Sequence, residues 1–167
     1  MSELKKQIQD AVISAMKAGD KERLKTIRLM TSSMKQIEID ERIELDDQRI
    51  IVILDKMVKQ RRESISQFKT AGRDDLVKQE NFEIDIIQEF LPQALGEEEI
   101  DKIVSQAIKQ TGASSIKDMD KVMGLVKPQI VGRADMGEVS ARIKSLLNTW
   151  AGDNQLRKLN KTFFSLN

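Results

Sequence analysis

Lys117, Lys121, Lys127 and Arg133 have the strongest claim to chemistry in this chain. That chemistry would be electrostatic, the contact of cations with phosphates. Lys117 and Lys121 stand four apart, which places both on one face of a helix. Arg133 follows Gly132 in a turn, where a bare backbone lets a ligand come close. Arg142 and Lys144 follow on the next helical segment. A basic surface with few competing acids is the electrostatic footprint of nucleic-acid binding. The chain has no Tyr and only 4% aromatic residues, too few for platforms that stack single-stranded bases. If RNA is the ligand, recognition of its backbone and shape is expected over base reading. Gly124 interrupts a helical pattern at a cost of roughly 1 kcal/mol relative to Ala, and so predicts close packing or close approach.

A second basic group holds Lys56, Lys59, Arg61, Arg62, Lys69 and Arg73, of which Lys59, Arg62, Lys69 and Arg73 make a secondary basic face. Asp55, Glu63, Asp74 and Asp75 lie among them, several at three- or four-residue spacing. Interleaved acids favour a solvated, salt-bridged helix face over a phosphate site. Arg61 and Ser64 fall near the apolar seam, which predicts a polar contact between helices. Glu97, Glu98 and Glu99 could in principle hold a magnesium ion, but at a helix start they read as compensation for the positive dipole end. Asp135 reads as the cap of the last helix. Gly132-Arg133-Ala134-Asp135 has the spacing of neither a P-loop nor a dinucleotide fingerprint.

Composition narrows the function classes further. The chain contains no Cys, His or Tyr. Disulfides, thiol nucleophiles, Ser-His-Asp triads and nearly every zinc site are thereby excluded, and acid–base work would fall to Asp, Glu or Lys. No catalytic residue, cofactor or metal is expected. Net charge is +1. Met1 to Leu95 carries 17 Lys+Arg against 18 Asp+Glu, whereas Ser115 to Asn167 carries 9 against 5. The basic excess therefore sits in the C-terminal third. No apolar run approaches the ~18 residues that span a bilayer, so no membrane partner is expected. The N-terminus MSELKKQIQD lacks an apolar leader, which predicts a soluble cytoplasmic protein.

The elements that must position these residues are helices. With 40% hydrophobic and few aromatic residues in 167, helices are favoured over strands. Leu4, Ile8, Val12 and Ala15 predict a helix over 2–18, stopped at Gly19. Asp20 caps a second, striped by Leu24, Ile27, Met30, Met34 and Ile37, to about 42. Asp46 or Asp47 caps a third that ends at Gly72, and Asp74 or Asp75 opens a fourth that stops before Pro92. Beyond a boundary at 91–96, Ile100 to Ile108 mark a fifth helix, Ile116 to Val126 a sixth pattern reaching Pro128, and Val139 to Leu147 a seventh. The expected fold is all-α: an N-terminal bundle of long antiparallel helices over 1–93, then a compact three-helix bundle over 96–147. Residues 148–167 read as a divergent tail, disordered or foreign to the native chain, although Trp150, Phe163 and Phe164 could pack. Met30, Met34, Met57, Met119, Met123 and Met136 fall on apolar stripes and read as core filler.

Several runs carry a resemblance. They include Lys59-Gln60-Arg61-Arg62-Glu63-Ser64, Ala71-Gly72-Arg73, Glu80, Glu83, Leu91-Pro92-Gln93, Gly112-Ala113-Ser114, Lys121-Val122-Met123-Gly124 and Gly132-Arg133-Ala134-Asp135. Over about 2–147 the chain resembles the GatB/YqeY family, in its stand-alone YqeY-like branch. One departure is Asp120, which stands where the family commonly has Gly and sets a negative charge beside Lys121. In the tRNA-dependent amidotransferase the related module is an appended helical domain that touches tRNA. The amidase and phosphorylating sites lie elsewhere in that complex, and nothing here matches them. The resemblance thus implies a non-catalytic accessory protein that binds tRNA or other structured RNA. A protein–protein adaptor is the alternative, with amidotransferase subunits or another protein as partner. Participation in tRNA-dependent amide transfer, a carbon–nitrogen ligase reaction with glutamine as amido donor, is implied only within a complex.

Overall fold

A computed structural model describes residues 2–149, and among them every regular element is helical. The chain divides into two compact units, Met1–Gln93 and a second from Ala94 onward.

The first unit holds four helices: α1 Glu3–Ala18, α2 Lys21–Glu41, α3 Asp47–Thr70 and α4 Asp74–Gln88. Short connections fold successive helices back on one another. α3 packs along α4 and α1 along α2, while α2 also touches α4 and α1 touches α3. Local chemistry sets the ends. Ser2 Oγ accepts from Lys5 N at 3.0 Å to start α1. Gly19, at φ +67°, takes the left-handed conformation that ends it. Asp20 and Asp46 accept from Arg23 N and Arg49 N to start α2 and α3.

α4 opens at Asp74, as its sequence predicts. Arg73 occupies its cap position without a side-chain cap bond, and both aspartates lie in the first turn. There their charges meet the positive dipole end, and Asp75 is held by the Arg73 guanidinium at 3.0 and 3.1 Å. The core of this unit contains Ile8, Ile27, Met30, Ile50, Leu54 and Ile87, all fully buried. Burial of such side chains contributes about 1.5–3 kcal/mol each. Met34 and Met57 join the same core. Leu45 is buried as well, from the connection between α2 and α3, where helical periodicity gives no signal.

The second unit holds α5 Glu97–Thr111, a 3-10 turn Ile116–Asp118, α6 Met119–Ile130, and α7, described over 136–149. Its core joins Val104, Ala107 and Ile108 of α5 to Val122, Val126 and Ile130 of α6 and to Val139, Ile143 and Leu147 of α7. Met119, Met123 and Met136 pack half-buried against it. Pro128 lies inside α6 and does not end it. In the last turn a proline removes only one helical hydrogen bond, the one to the Gly124 carbonyl, so the helix continues to Ile130. α7 runs past the expected boundary at Leu147, and Thr149 Oγ1 donates to the Ser145 carbonyl at 3.0 Å. The remainder of the expected tail, 150–167, with Trp150, Phe163 and Phe164, lies outside the described residues.

Candidate nucleic-acid interface

The 3-10 turn, α6 and the turn at 131–135 carry the four cations singled out from the sequence. α6 lays Val122, Val126 and Ile130 against the core, so its opposite side faces solvent. Lys121 and Gly124 lie on that outer side, and Lys117 is exposed one turn before. Asp118 accepts from Ser114 N at 3.1 Å, which fixes the entry to the 3-10 turn. Its other oxygen stands 4.0 Å from Lys121 Nζ, and that lysine side chain stays 73% exposed. At this distance and exposure the pair holds the ammonium only weakly.

The four cations do not form one patch. At about 100° per residue, Lys127 is turned roughly 120° from Lys121 around α6, onto the flank of Asp120. Arg133 is half-buried in the turn after α6. Its carbonyl accepts from Leu95 N at 2.8 Å, and its N–H donates to Ile130 O at 2.9 Å, so this residue ties the turn to the start of the unit. Lys117 and Lys121, with Lys127 on a neighbouring flank, are the part of the set that lies open to a ligand.

Gly124 corrects one expectation. Among the described residues no atom outside its own helix backbone lies within 4 Å of a Cβ built there, so none of them packs against this glycine. The residue is exposed, and Lys121 and Lys127 lie three positions to either side. What the position offers is bare backbone on an outer helix face.

Arg142 is withdrawn from the basic set. Its guanidinium lies 3.3 Å from Asp101 and 4.0 Å from Glu97, and it donates to the Glu97 carbonyl at 3.3 Å. Glu99 caps α5 by accepting from Gly96 N at 3.1 Å. The acidic run thus serves the helix start, as its place in the sequence implied. Asp135 caps α7, accepting from Glu138 N at 2.9 Å. A Cβ at Gly137 would stand 3.0 Å from that same cap oxygen.

Charge over the whole unit is balanced. Residues 94–149 carry eight basic residues, from Lys102 to Lys144, and eight acidic ones, from Glu97 to Glu138. The excess counted from Ser115 omits the α5 acids and includes Arg157, Lys158 and Lys161, outside the described residues. Within this unit the exposed positive charge of Lys117, Lys121 and Lys127 is therefore a local feature.

On α3 and just beyond it, Lys59, Arg62, Lys69 and Arg73 are all exposed. Asp55 falls on the same flank of the helix, within one turn of Lys59, and Arg73 is engaged by Asp75. Arg61 turns inward to Glu83, which gives the interhelical polar contact its position predicted.

A further cationic row escaped the sequence reading. Lys21, Lys25, Arg28 and Lys35 share the solvent face of α2, and all four are exposed. The row is hidden in the linear sequence because Glu22 follows Lys21 directly. Projection at 100° per residue separates them, and would have found it.

The described residues define a small all-helical chain of two units, with exposed cations on α6 and α2. Residues 5–147 match the family described as Yqey-like protein. The chain belongs to that YqeY-like family, as its sequence resemblance implied. Among relatives, a protein of Pyrenophora tritici-repentis named "Altered inheritance of mitochondria protein 41, mitochondrial" is 29% identical over 84% of this chain and 78% of its own length. Proteins of the same name are 44% identical in Eremothecium gossypii, over 50% of this chain and 48% of theirs, and 36% identical in Lachancea thermotolerans, over 69% and 61%. The chain thus spans about half to three-quarters of the length of these relatives.

These names overturn the cytoplasmic expectation, because the relatives are named as mitochondrial proteins. That expectation rested on the lack of an apolar leader and of a spanning run. Neither property distinguishes one aqueous compartment from another. Among the described residues no helix is long and apolar enough to cross a membrane.

Proposed function

We propose that this protein is a non-catalytic accessory module that binds structured RNA, tRNA foremost, through phosphate contacts from the outer face of α6. The observation that carries this reading is the exposure of Lys117, Lys121 and Lys127 around the bare backbone of Gly124. Lysines supply charge without base reading, which suits recognition by backbone and shape. The family's relation to the tRNA-touching module of the amidotransferase supports the choice of RNA. Arg133 serves mainly to hold the turn beyond α6, since its backbone bonds both Ile130 and Leu95.

Fluorescence anisotropy of labelled tRNA, at low and moderate salt, tests this with the intact protein and with Lys117→Ala/Lys121→Ala/Lys127→Ala. Each lysine–phosphate pairing abolished lowers the slope of log affinity against log salt by about 0.7–0.9, so removing three should flatten it by about 2–3. Absence of binding at low salt by the folded protein, or an unchanged slope in the variant, overturns the reading.

A further inference from the structure

α2 buries Thr26, Ile27, Met30 and Met34 and turns its other side to solvent. On that side stand Lys21, Lys25, Arg28, Ser32 and Lys35, a row about 21 Å long at 1.5 Å per residue. The acids of the helix, Glu22, Glu38, Asp40 and Glu41, project from other flanks. Two of them are in ion pairs, Glu38 with Lys5 and Glu41 with Arg49, and Asp40 accepts from Gln36 at 2.8 Å. Among the described residues none of the four cations of the row is in a salt bridge. Arg23, on the buried side of the same helix, is by contrast clamped to Glu89 at 2.7 and 3.0 Å.

The row is not purely polar. Lys21, Lys25, Arg28 and Ser32 border a shallow depression of about 360 Å³ that also includes Leu24 and Leu29. Leu29 is 40% exposed, and Ile39, further along the same face, is 60% exposed. Cations with leucines on either side match a particular kind of surface. A phosphate backbone would use the charges and leave the leucines wet. An acidic amphipathic helix would use both, setting apolar anchors on Leu24 and Leu29 and carboxylates against Lys21, Lys25 and Arg28.

We infer that the solvent face of α2 docks an acidic amphipathic helix of a partner protein, at a site separate from the α6 face. The segment 150–167 of this chain lacks the acidic charge such an occupant needs. It carries Arg157, Lys158 and Lys161 against Asp153, and like charges facing each other are repulsive.

The test uses the intact, isotopically labelled protein and a synthetic helical peptide with Leu at i, i+3 and i+7 flanked by Glu. A second peptide has the same composition with its leucines dispersed around the helix. tRNA and vesicles containing anionic lipid are the other probes. The first peptide should shift the amides of Lys21 to Ser32 and bind at least about fivefold more tightly than the dispersed one. Lys25→Glu/Arg28→Glu, which leaves the core of α2 intact, should weaken the first peptide about tenfold or more while tRNA affinity stays unchanged. Equal binding by the two peptides reduces the face to simple electrostatics and overturns the inference. So does tighter engagement of the same α2 amides by tRNA or vesicles, or the absence of any shift. Loss of tRNA binding at α6 alone would overturn the proposed function and leave this inference standing.

Discussion

Arg61 Nε lies 2.8 Å from Glu83 Oε2, and this pair joins α3 to α4 inside the N-terminal unit. Both side chains are largely shielded, at 14% and 11% exposure. Each group has one further partner. Arg61 Nη1 donates to the Met57 carbonyl at 3.2 Å, and Gln79 Nε2 donates to Glu83 Oε1 at 3.1 Å. Removing one partner strands a shielded charge, whereas removing both does not. Arg61→Met should cost about 3–5 kcal/mol of unit stability, and Arg61→Met/Glu83→Met clearly less than the sum of the two single changes. Urea unfolding followed by a probe within the first unit measures both. Additive losses would show that the pair is not coupled.

Glu80, one turn before Glu83, has its carboxyl pushed above the ordinary range, first by burial and then by the Glu83 charge. The unfolded chain therefore loses this proton at lower pH than the folded one. As pH rises between the two values, stability falls, and above both it carries a constant penalty. Glu80→Gln should be more stable than the parent at pH 7 and equal to it below the ordinary carboxylate range. Thermal unfolding at pH 3.5 and pH 7 checks the sign, and a less stable variant at pH 7 would refute it.

Glu38 behaves in the opposite sense. Lys5 Nζ at 2.6 Å and Leu45 N at 3.1 Å both reach its Oε1 and hold the carboxyl below the ordinary range. The stabilisation is complete above the unfolded value and is lost as pH falls through the depressed folded one. Glu38→Gln should flatten the acid limb of the stability curve and loosen the Leu45 connection. Amide exchange at Leu45 supplies the second readout, and an unchanged acid limb would argue against a role for this carboxylate.

The helices and their order were legible because stripes such as Leu4, Ile8 and Ala15 recur at helical spacing, and Gly19 and Gly112 mark ends where a left-handed residue is needed. The inward turn of Arg61 was legible from its place beside the apolar seam. Its partner was not, because Glu83 lies twenty-two residues away on another helix. Leu45 was missed because a loop residue has no period to betray its burial. The candidate site was read less well than the fold. Counting charge along the chain merged Arg142, which is paired with Asp101, with lysines that face solvent. The same counting concealed the α2 row behind Glu22. Linear proximity and shared direction are different quantities, and only the second decides whether charges act together.

Gly124 joins stability to function most directly. A methyl group added there meets no neighbouring atom, and the backbone is helical, so Gly124→Ala should stabilise the second unit by about 0.5–1 kcal/mol. The same methyl would stand on the outer face between Lys121 and Lys127, where the proposed function brings a phosphate backbone. tRNA affinity should therefore fall while the melting temperature rises, a combination that a purely structural glycine would not produce. Calorimetry and tRNA anisotropy on the one variant separate the effects. Gain of stability with unchanged affinity would mean that the lysines reach RNA without close approach to the helix backbone, and the glycine would then be a tolerated cost of the sequence with no part in binding.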